Sequence, residues 1–510
     1  MTFRLSPGSI HMPQEDISLS SEQVANLLVS RTRLLSKNGL QAGDRVFIRH
    51  GNCINFFIDL LACWAMGACV VPLEPELTRN ELGNLLRKAK PRLFLDATGC
   101  RNTFRETLEM ENTIVVETGD QNSNKVAAVG REDVIAQINA AQGDALILFT
   151  SGSTGEPKGV VHTHAALRAK WQSLSREITP DTLRRTLCIL PTHFGHGLIC
   201  NALFPWLSGN ALFLLPPFSP TSLMGLGSLL ARCEITFFSS VPAIWQLVLK
   251  TPKPVNSKLV EVFCGSAPLS EHLWREVIEW CGGAKVRNVY GITETGSWIA
   301  GSANDSLPAD GLVGYPWGGQ FAVMPGGSID HCPSEKLPCA VGQKGYIWVK
   351  TSTLMKGYLE RDDWTAEKIS DNWFSTGDIG FIDESGQLVL KGRERDEINR
   401  GGLKIYPVDI EAVVSRFPGV IEACCFACDD PVFDQSVGVS IVTNEEVIPF
   451  LADLYEWTSE HLPSYKIPTC WFRVDGIPKS NRGKINRKEL ALHCAGLEPL
   501  NMARFLKAVN

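Results

Sequence analysis

Thr150-Ser151-Gly152-Ser153-Thr154-Gly155-Glu156-Pro157-Lys158-Gly159 decides how this chain is read, together with the run Asp144-Ala145-Leu146-Ile147-Leu148-Phe149 before it. The apolar run predicts a buried strand. In the loop, glycines let the backbone approach an anion and turn its N–H groups inward. The hydroxyls of Thr150, Ser151, Ser153 and Thr154 add donors, and Lys158 adds a point charge. The composition is that of a polyphosphate cradle. A flexible Gly/Ser surface loop is the plain alternative, and the Pro-Lys-Gly ending straight after a strand argues against it. The loop is not of the Walker type. That pattern sets Lys-Ser/Thr directly after its second glycine and leads into a helix. Here Lys158 lies between Pro157 and Gly159, and the chain runs on as Val160-Val161.

Further motifs follow in order. They are Gly265-Ser266-Ala267-Pro268-Leu269, Tyr290-Gly291-Ile292-Thr293-Glu294-Thr295, Ser375-Thr376-Gly377-Asp378, Gly392-Arg393-Glu394-Arg395-Asp396-Glu397-Ile398-Asn399 and Pro478-Lys479-Ser480-Asn481-Arg482-Gly483-Lys484. With the loop, they resemble the adenylate-forming (AMP-binding) superfamily: acyl- and aryl-CoA ligases, luciferases and the adenylation domains of peptide synthetases. The match covers nearly the whole chain after about residue 20.

The pattern of elements agrees with an α/β fold. Ser20 or Ser21 predicts a helix N-cap, with Val24, Leu27 and Leu28 facing inward. Strand patterns at Arg45–Arg49, Cys69–Leu73 and Leu93–Leu95 alternate with helical ones at Asn55–Met66 and Thr78–Lys88. That succession predicts an open, largely parallel sheet. Gly and Pro rise after about Gly311, and short strands such as Gly345–Val349 appear. The resemblance implies a large N-terminal domain of stacked α/β sheets plus a distorted β-barrel, residues 1–394, and a small mobile α+β C-terminal domain, residues 395–510. In the latter, helices are predicted near Val408–Arg416 and Val447–His461, and strands near Ala423–Cys428 and Cys470–Val474.

A carboxylate attacking ATP must approach a negative phosphate, and charge builds on the α-phosphate oxygens, so cations and oriented donors are needed there. The resemblance implies their sources. Thr150 to Lys158, including Gly152 and Gly155, would hold the β- and γ-phosphates. Thr293 would donate to the α-phosphate, and Glu294 would bind Mg2+. Lys484 would reach between the carboxylate and the α-phosphate. Asp378 and Arg393 would take the ribose hydroxyls, Tyr290 would offer a face for adenine, and Gly265, Ser266, Ala267 and Gly291 would let the ring lie against backbone. Arg395 stands at the family's hinge, where Asp or Lys is commoner. Gly401 and Gly402 would let a pantetheine arm pass close to backbone, with a plain turn as the other reading.

The acid side departs most from the family. Pro191-Thr192-His193-Phe194-Gly195-His196-Gly197 keeps the Pro and Gly spacing and sets Phe194 at the middle position. His193 and His196 could suggest a metal, but no third ligand lies nearby in sequence, so they read as pocket wall or gate. The family's peptide-synthetase domains that bind α-amino acids carry an Asp in this region to hold the ammonium; Thr192–Leu198 has none, so the resemblance implies a carboxylic acid without an α-amino group. Phe194, Trp245, Phe238, Ile292 and Trp298 suggest an apolar acyl or aryl pocket. CoA is the first acceptor considered and a carrier-protein phosphopantetheine the second. No Gly-Gly-x-Ser attachment site follows Lys484. A degenerate adenylate-binding protein and an oxygen-using luciferase-like enzyme are the rivals; intact Lys484, Glu294, Asp378 and Arg393 oppose the first.

Bulk properties exclude other classes. The chain has 510 residues, a net charge of −6 and 44% hydrophobic residues, so it has the size for two or more domains and no electrostatic case for nucleic acid. Met1–Asp16 lacks a secretory core. The longest apolar stretch, Phe56–Val71, contains Asp59 and ends at Pro72, which predicts a buried helix rather than a membrane span. The 16 cysteines are too scattered for a disulfide scaffold. Cys425-Phe426-Ala427-Cys428 lacks the second pair a zinc ribbon needs, and a reduced cytoplasm is the expected compartment.

Overall fold

The computed structural model describes residues 4–96, 108, 113–118, 130–150, 157–216, 223–400, 403–430, 434–444, 447–479 and 485–500. Local chemistry starts its helices. The Ser20 hydroxyl accepts from the Gln23 N–H, and the Gln23 side chain accepts from the Ser20 N–H, so two orphan donors of helix Ser21–Lys37 are satisfied reciprocally. Thr78 and Glu81 do the same for helix Arg79–Ala89.

The helix Ile54–Ala65 is apolar on nearly every side because it is buried. Its Asp59 is fully buried and pairs with Arg31. The same carboxylate accepts from His50 Nε2 and Thr118 Oγ1, each at 2.7 Å. This network is what lets a charge sit in the apolar run. Among the described residues no helix is long and apolar enough to cross a membrane.

The first sheet has seven strands. Asp144–Thr150, Cys69–Pro72, Arg45–Arg49, Leu93–Asp96 and Ile114–Glu117 pair in parallel in that order. Lys158–Thr163 and Gly357–Tyr358 extend it antiparallel beyond Asp144–Thr150. In the second sheet Ala211–Leu214, Arg185–Cys188, Phe237–Ser240, Glu261–Gly265 and Lys285–Ile292 run parallel. The antiparallel strands expected as a barrel continue this sheet through Ser297–Gly301 and Leu312–Pro316 to Leu388–Arg393, Trp373–Ile382, Gly345–Thr351 and Gly319–Met324.

Strand alternation divides the interior into layers. One core, with Ile48, Leu146 and Leu148 from the first sheet and Phe237, Phe263 and Trp298 from the second, lies between the sheets with helix Ile54–Ala65. A second core, with Phe238, Val262 and Trp245, covers the far face of the second sheet under helices Leu226–Arg232, Pro242–Val248 and Glu271–Cys281.

The turn Glu394–Asp396 leads from Leu388–Arg393 to a separate C-terminal α+β domain. Its five-stranded sheet carries helices Pro407–Val414, Val447–His461 and Arg487–Ala495. On strand Val420–Asp430, Ala423, Cys425 and Ala427 face one core, while Cys424, Phe426 and Cys428 face the other. A spacing of three on a strand therefore sends Cys425 and Cys428 to opposite faces, where they cannot share one ion.

Candidate active site

The loop that opened the reading closes a hairpin. Asp144–Thr150 and Lys158–Thr163 are antiparallel, with Thr150 opposite Lys158. A strand, not a helix, thus follows the loop, which separates it structurally from a P-loop. Ser151, Gly152, Ser153, Thr154 and Gly155 lie outside the described residues, as do Gly401, Gly402 and Lys484.

Lys158 is held by two residues that the sequence reading missed. Its Nζ lies 4.7 Å from the centre of the Trp364 ring and 5.4 Å from that of Tyr358. The Arg361 guanidinium sits 3.4 Å from the Trp364 ring centre. Gly357–Tyr358 is placed there by pairing with Val160–Val161. The Tyr358 hydroxyl donates to Glu294 Oε1 at 2.8 Å, and burial beside that carboxylate raises its pKa, so it stays a donor. No local motif marks Tyr358 or Trp364: strand pairing brings Tyr358 to the hairpin, and the short helix Asp362–Ala366 that follows carries Trp364 there.

Glu294 sits in the turn Thr293–Thr295, half-buried like Thr293. The Met355 N–H donates to the Glu294 carbonyl at 2.7 Å, and Thr353 Oγ1 to the Thr295 carbonyl at 2.9 Å. Both bonds fix the turn from the strand-to-strand loop opposite.

Asp378 and Arg393 are cross-strand partners, with Arg393 Nε 2.9 Å from Asp378 Oδ1. The Tyr290 hydroxyl donates to Asp378 Oδ2 at 2.6 Å. Burial and the Asp378 charge raise the Tyr290 pKa, and Asp378 raises that of Arg393. Tyr290 is itself buried, so its hydroxyl is committed to Asp378, a tie absent from the expectation of an adenine-stacking face alone.

Gly265 and Gly291 have a steric reason. A Cβ on Gly265 would lie 2.5 Å from the Val289 carbonyl oxygen, and one on Gly291 would lie 2.1 Å from that of Ser297. Ser266 follows in the left-handed region at φ +67°. Gly265-Ser266-Ala267 and Gly291–Thr293 thus gather at the carboxyl ends of adjacent parallel strands, where open α/β sheets bind ligands.

His196 ties the acid-side motif to this edge. Its Nδ1 is 2.7 Å from Ser266 Oγ and its Nε2 is 2.7 Å from Ser239 Oγ. It opens a π-helical segment, His196–Leu203, and its ring meets Trp298 edge-on at 5.3 Å. A Cβ on Gly197 would meet the Pro191 carbonyl oxygen at 2.5 Å, which accounts for the Pro/Gly spacing. Phe194 and His193 pack together at 4.0 Å and are half-buried. Among the described residues no group of three or more His, Cys, Asp or Glu side chains could hold a metal.

The aromatic pocket needs one correction. Trp245 does not join Trp298. It is fully buried against Phe238 and Trp280 on the other face of the second sheet. Phe237 and Phe238 are neighbours on one strand and so point to opposite faces; Trp298 packs with Phe237 and Phe263, Trp245 with Phe238. Arg395 lies exposed in the turn Glu394–Asp396, 3.7 Å from Asp396 through its Nε.

The AMP-binding enzyme family matches residues 5–359, and the AMP-binding enzyme C-terminal domain matches residues 409–484. A probable CoA ligase of Humulus lupulus is 27% identical over 506 residues, covering 96% of this chain and 93% of the relative. An oxalate–CoA ligase of Arabidopsis thaliana is 27% identical over 478 residues, covering 91% and 90%. The crystal structure of ATP-bound MatB from Rhodopseudomonas palustris superposes with a TM-score of 0.82 at 25% identity, covering 97% of each chain. With the ordered motifs and the two matched regions together, this chain belongs to the AMP-binding enzyme family.

Proposed function

We propose that this protein is an AMP-forming acid–thiol ligase: it converts a carboxylic acid and ATP to an acyl-AMP and passes the acyl group to CoA. The observation that carries the reading is the gathering of Lys158, Thr293, Glu294, Tyr290, Asp378 and Arg393 in one family fold whose relatives are CoA ligases. An acid oxygen attacks the α-phosphorus, and pyrophosphate leaves. The thiol sulfur, giving up its proton, then attacks the acyl carbonyl, and AMP leaves.

In this reading Thr150 to Gly155 and Lys158 hold the departing pyrophosphate. Thr293 donates to the α-phosphate, and Lys484 neutralises the charge that builds there. Asp378 and Arg393 take the ribose hydroxyls, and Gly265, Ser266, Ala267, Tyr290 and Gly291 take the adenine. The donor set at Glu294 fits Mg2+. Tyr358 occupies Oε1 and leaves Oε2 for a cation, and Mg2+ is usually bound by one or two carboxylates with phosphates and water. When bound, the ion would neutralise phosphate charge.

The acid lies against Phe194, His193 and Trp298, and carries no α-amino group. Arg395 is the hinge between residues 1–394 and 395–510, and Gly401 and Gly402 line the thiol path. A carrier-protein phosphopantetheine is the second acceptor. The described cysteines are all free, in keeping with a reduced cytoplasm.

Pyrophosphate exchange across fatty, aryl and amino acids, with and without CoA, tests the reading. Exchange with at least one acid lacking an α-amino group, and its thioester with CoA, is the expected result. Nucleotide binding with no exchange for any acid would leave a degenerate adenylate-binding protein. In the same assay, replacing Phe194 by Ala should shift the order of preferred acids by roughly tenfold or more, the scale on which hydrophobic pockets discriminate. The ATP KM should stay near the parent's. A collapse of ATP affinity with fixed acid preference would show that Phe194 does not line the acid site.

A further inference from the structure

Helix His164–Glu177 follows the phosphate hairpin directly, and it buries a lysine. Lys170 is fully buried, and its Nζ donates to the Trp298 carbonyl. Among the described residues no carboxylate pairs with it. Its stem lies beneath the backbone that joins the turn Thr293–Thr295 to Trp298. A Cβ on Gly296 would lie 3.5 Å from Lys170 Cε and 4.0 Å from His162 Cε1. Ser297 in that backbone is held against its preference, left-handed at φ +74°, next to Gly296 at φ +68°, where glycine is at ease. The Cys200 thiol donates to the Gly296 carbonyl at 3.4 Å from the π-helical segment.

The groups facing Lys170 carry no charge to balance it. Burial lowers the His162 pKa to about 4, with Lys170 adding to the fall, so His162 is neutral. Burial raises the Cys200 pKa to about 11, so it remains a thiol. An ammonium with one neutral acceptor is an expensive way to satisfy one carbonyl. Features that weaken a fold locally gather where chemistry needs them.

We infer that Lys170 is a positioning residue for adenylation. Its ammonium holds the backbone at the strained Ser297, and with it the register between Thr293–Glu294 and the Trp298 wall, while setting a positive charge behind the point where carboxylate and α-phosphate meet. The inference rests on the proposed ligase reading. It is separable from it, because the parent enzyme's exchange activity tests the reading and the Lys170 variants test the inference.

The experiment is pyrophosphate exchange from pH 6.5 to 9.5 on the parent, Lys170→Met and Lys170→Arg, with thermal midpoints. Burial lowers the Lys170 pKa to about 8, so the charge is present below that pH and lost above it. The parent's kcat should therefore fall as pH rises through about 8. Lys170→Met should lower kcat at pH 7 by roughly 10–100-fold, less than the roughly 10²–10³-fold for a donor that meets the developing charge directly, because Lys170 acts through the backbone, with the ATP KM little changed. It should melt no lower than the parent, and its profile should lack the alkaline limb. Lys170→Arg keeps its charge throughout, so its profile should also be flat there. A parent profile with no limb near pH 8 overturns the inference. So does a methionine variant with parental kcat, or a limb that persists in the variants. If the methionine variant does not fold, the parent and arginine profiles decide.

Discussion

Lys484→Ala is expected to lower acyl-AMP formation by roughly 10²–10³-fold, the usual loss for one preorganised charge donor at a developing anion. Transfer from pre-formed acyl-AMP to the thiol should fall far less. The asymmetry comes from the charge each step develops. In the first, a carboxylate and a polyphosphate meet, and negative charge spreads over the α-phosphate oxygens; in the second, charge builds on the acyl oxygen and AMP departs. A lysine poised for the first has little to stabilise in the second. Pyrophosphate exchange reports the first half-reaction, and thioester formation from synthetic acyl-AMP the second. Equal losses in both would remove the assignment.

Arg395→Pro is expected to give the converse result, with measurable adenylate formation and thioester formation stopped. The local structure makes proline a clean probe. The turn is closed by the Glu397 N–H donating to the Glu394 carbonyl at 3.3 Å. Arg395 is therefore the second residue of the turn, the position where proline's fixed φ is favoured. The substitution keeps that closing bond and restricts the rotation a domain swing would need. Thioester formation at the parent rate would show that the swing does not occur at residue 395. Read together, the two variants separate the half-reactions, since each removes a different one.

What the sequence by itself determined is local in origin. The capping boxes at Ser20 and Thr78 lie within three residues of their partners, so the starts of those helices were legible. The helix Val447–His461 emerged as expected from its pattern. The family was legible because the Gly-rich loop, with its consecutive glycines, hydroxyls and lysine, and the motifs after it are each a short run.

Only the tertiary structure decided which runs meet. Tyr290 reaches Asp378 across 88 positions, Tyr358 reaches Glu294 across 64, and Lys170 reaches the Trp298 carbonyl across 128. Nothing local in a chain records such a pairing; strand order and register set it. The same reason explains the misplaced Trp245. Aromatic residues near a motif were read as one pocket, but adjacent positions on a strand point to opposite faces, so Phe237 and Phe238 carry their partners into separate cores. It also explains why nothing in the sequence singled out Lys170. Its pattern carries no sign of burial, and the two sheets that enclose it are assembled from strands far apart in the chain.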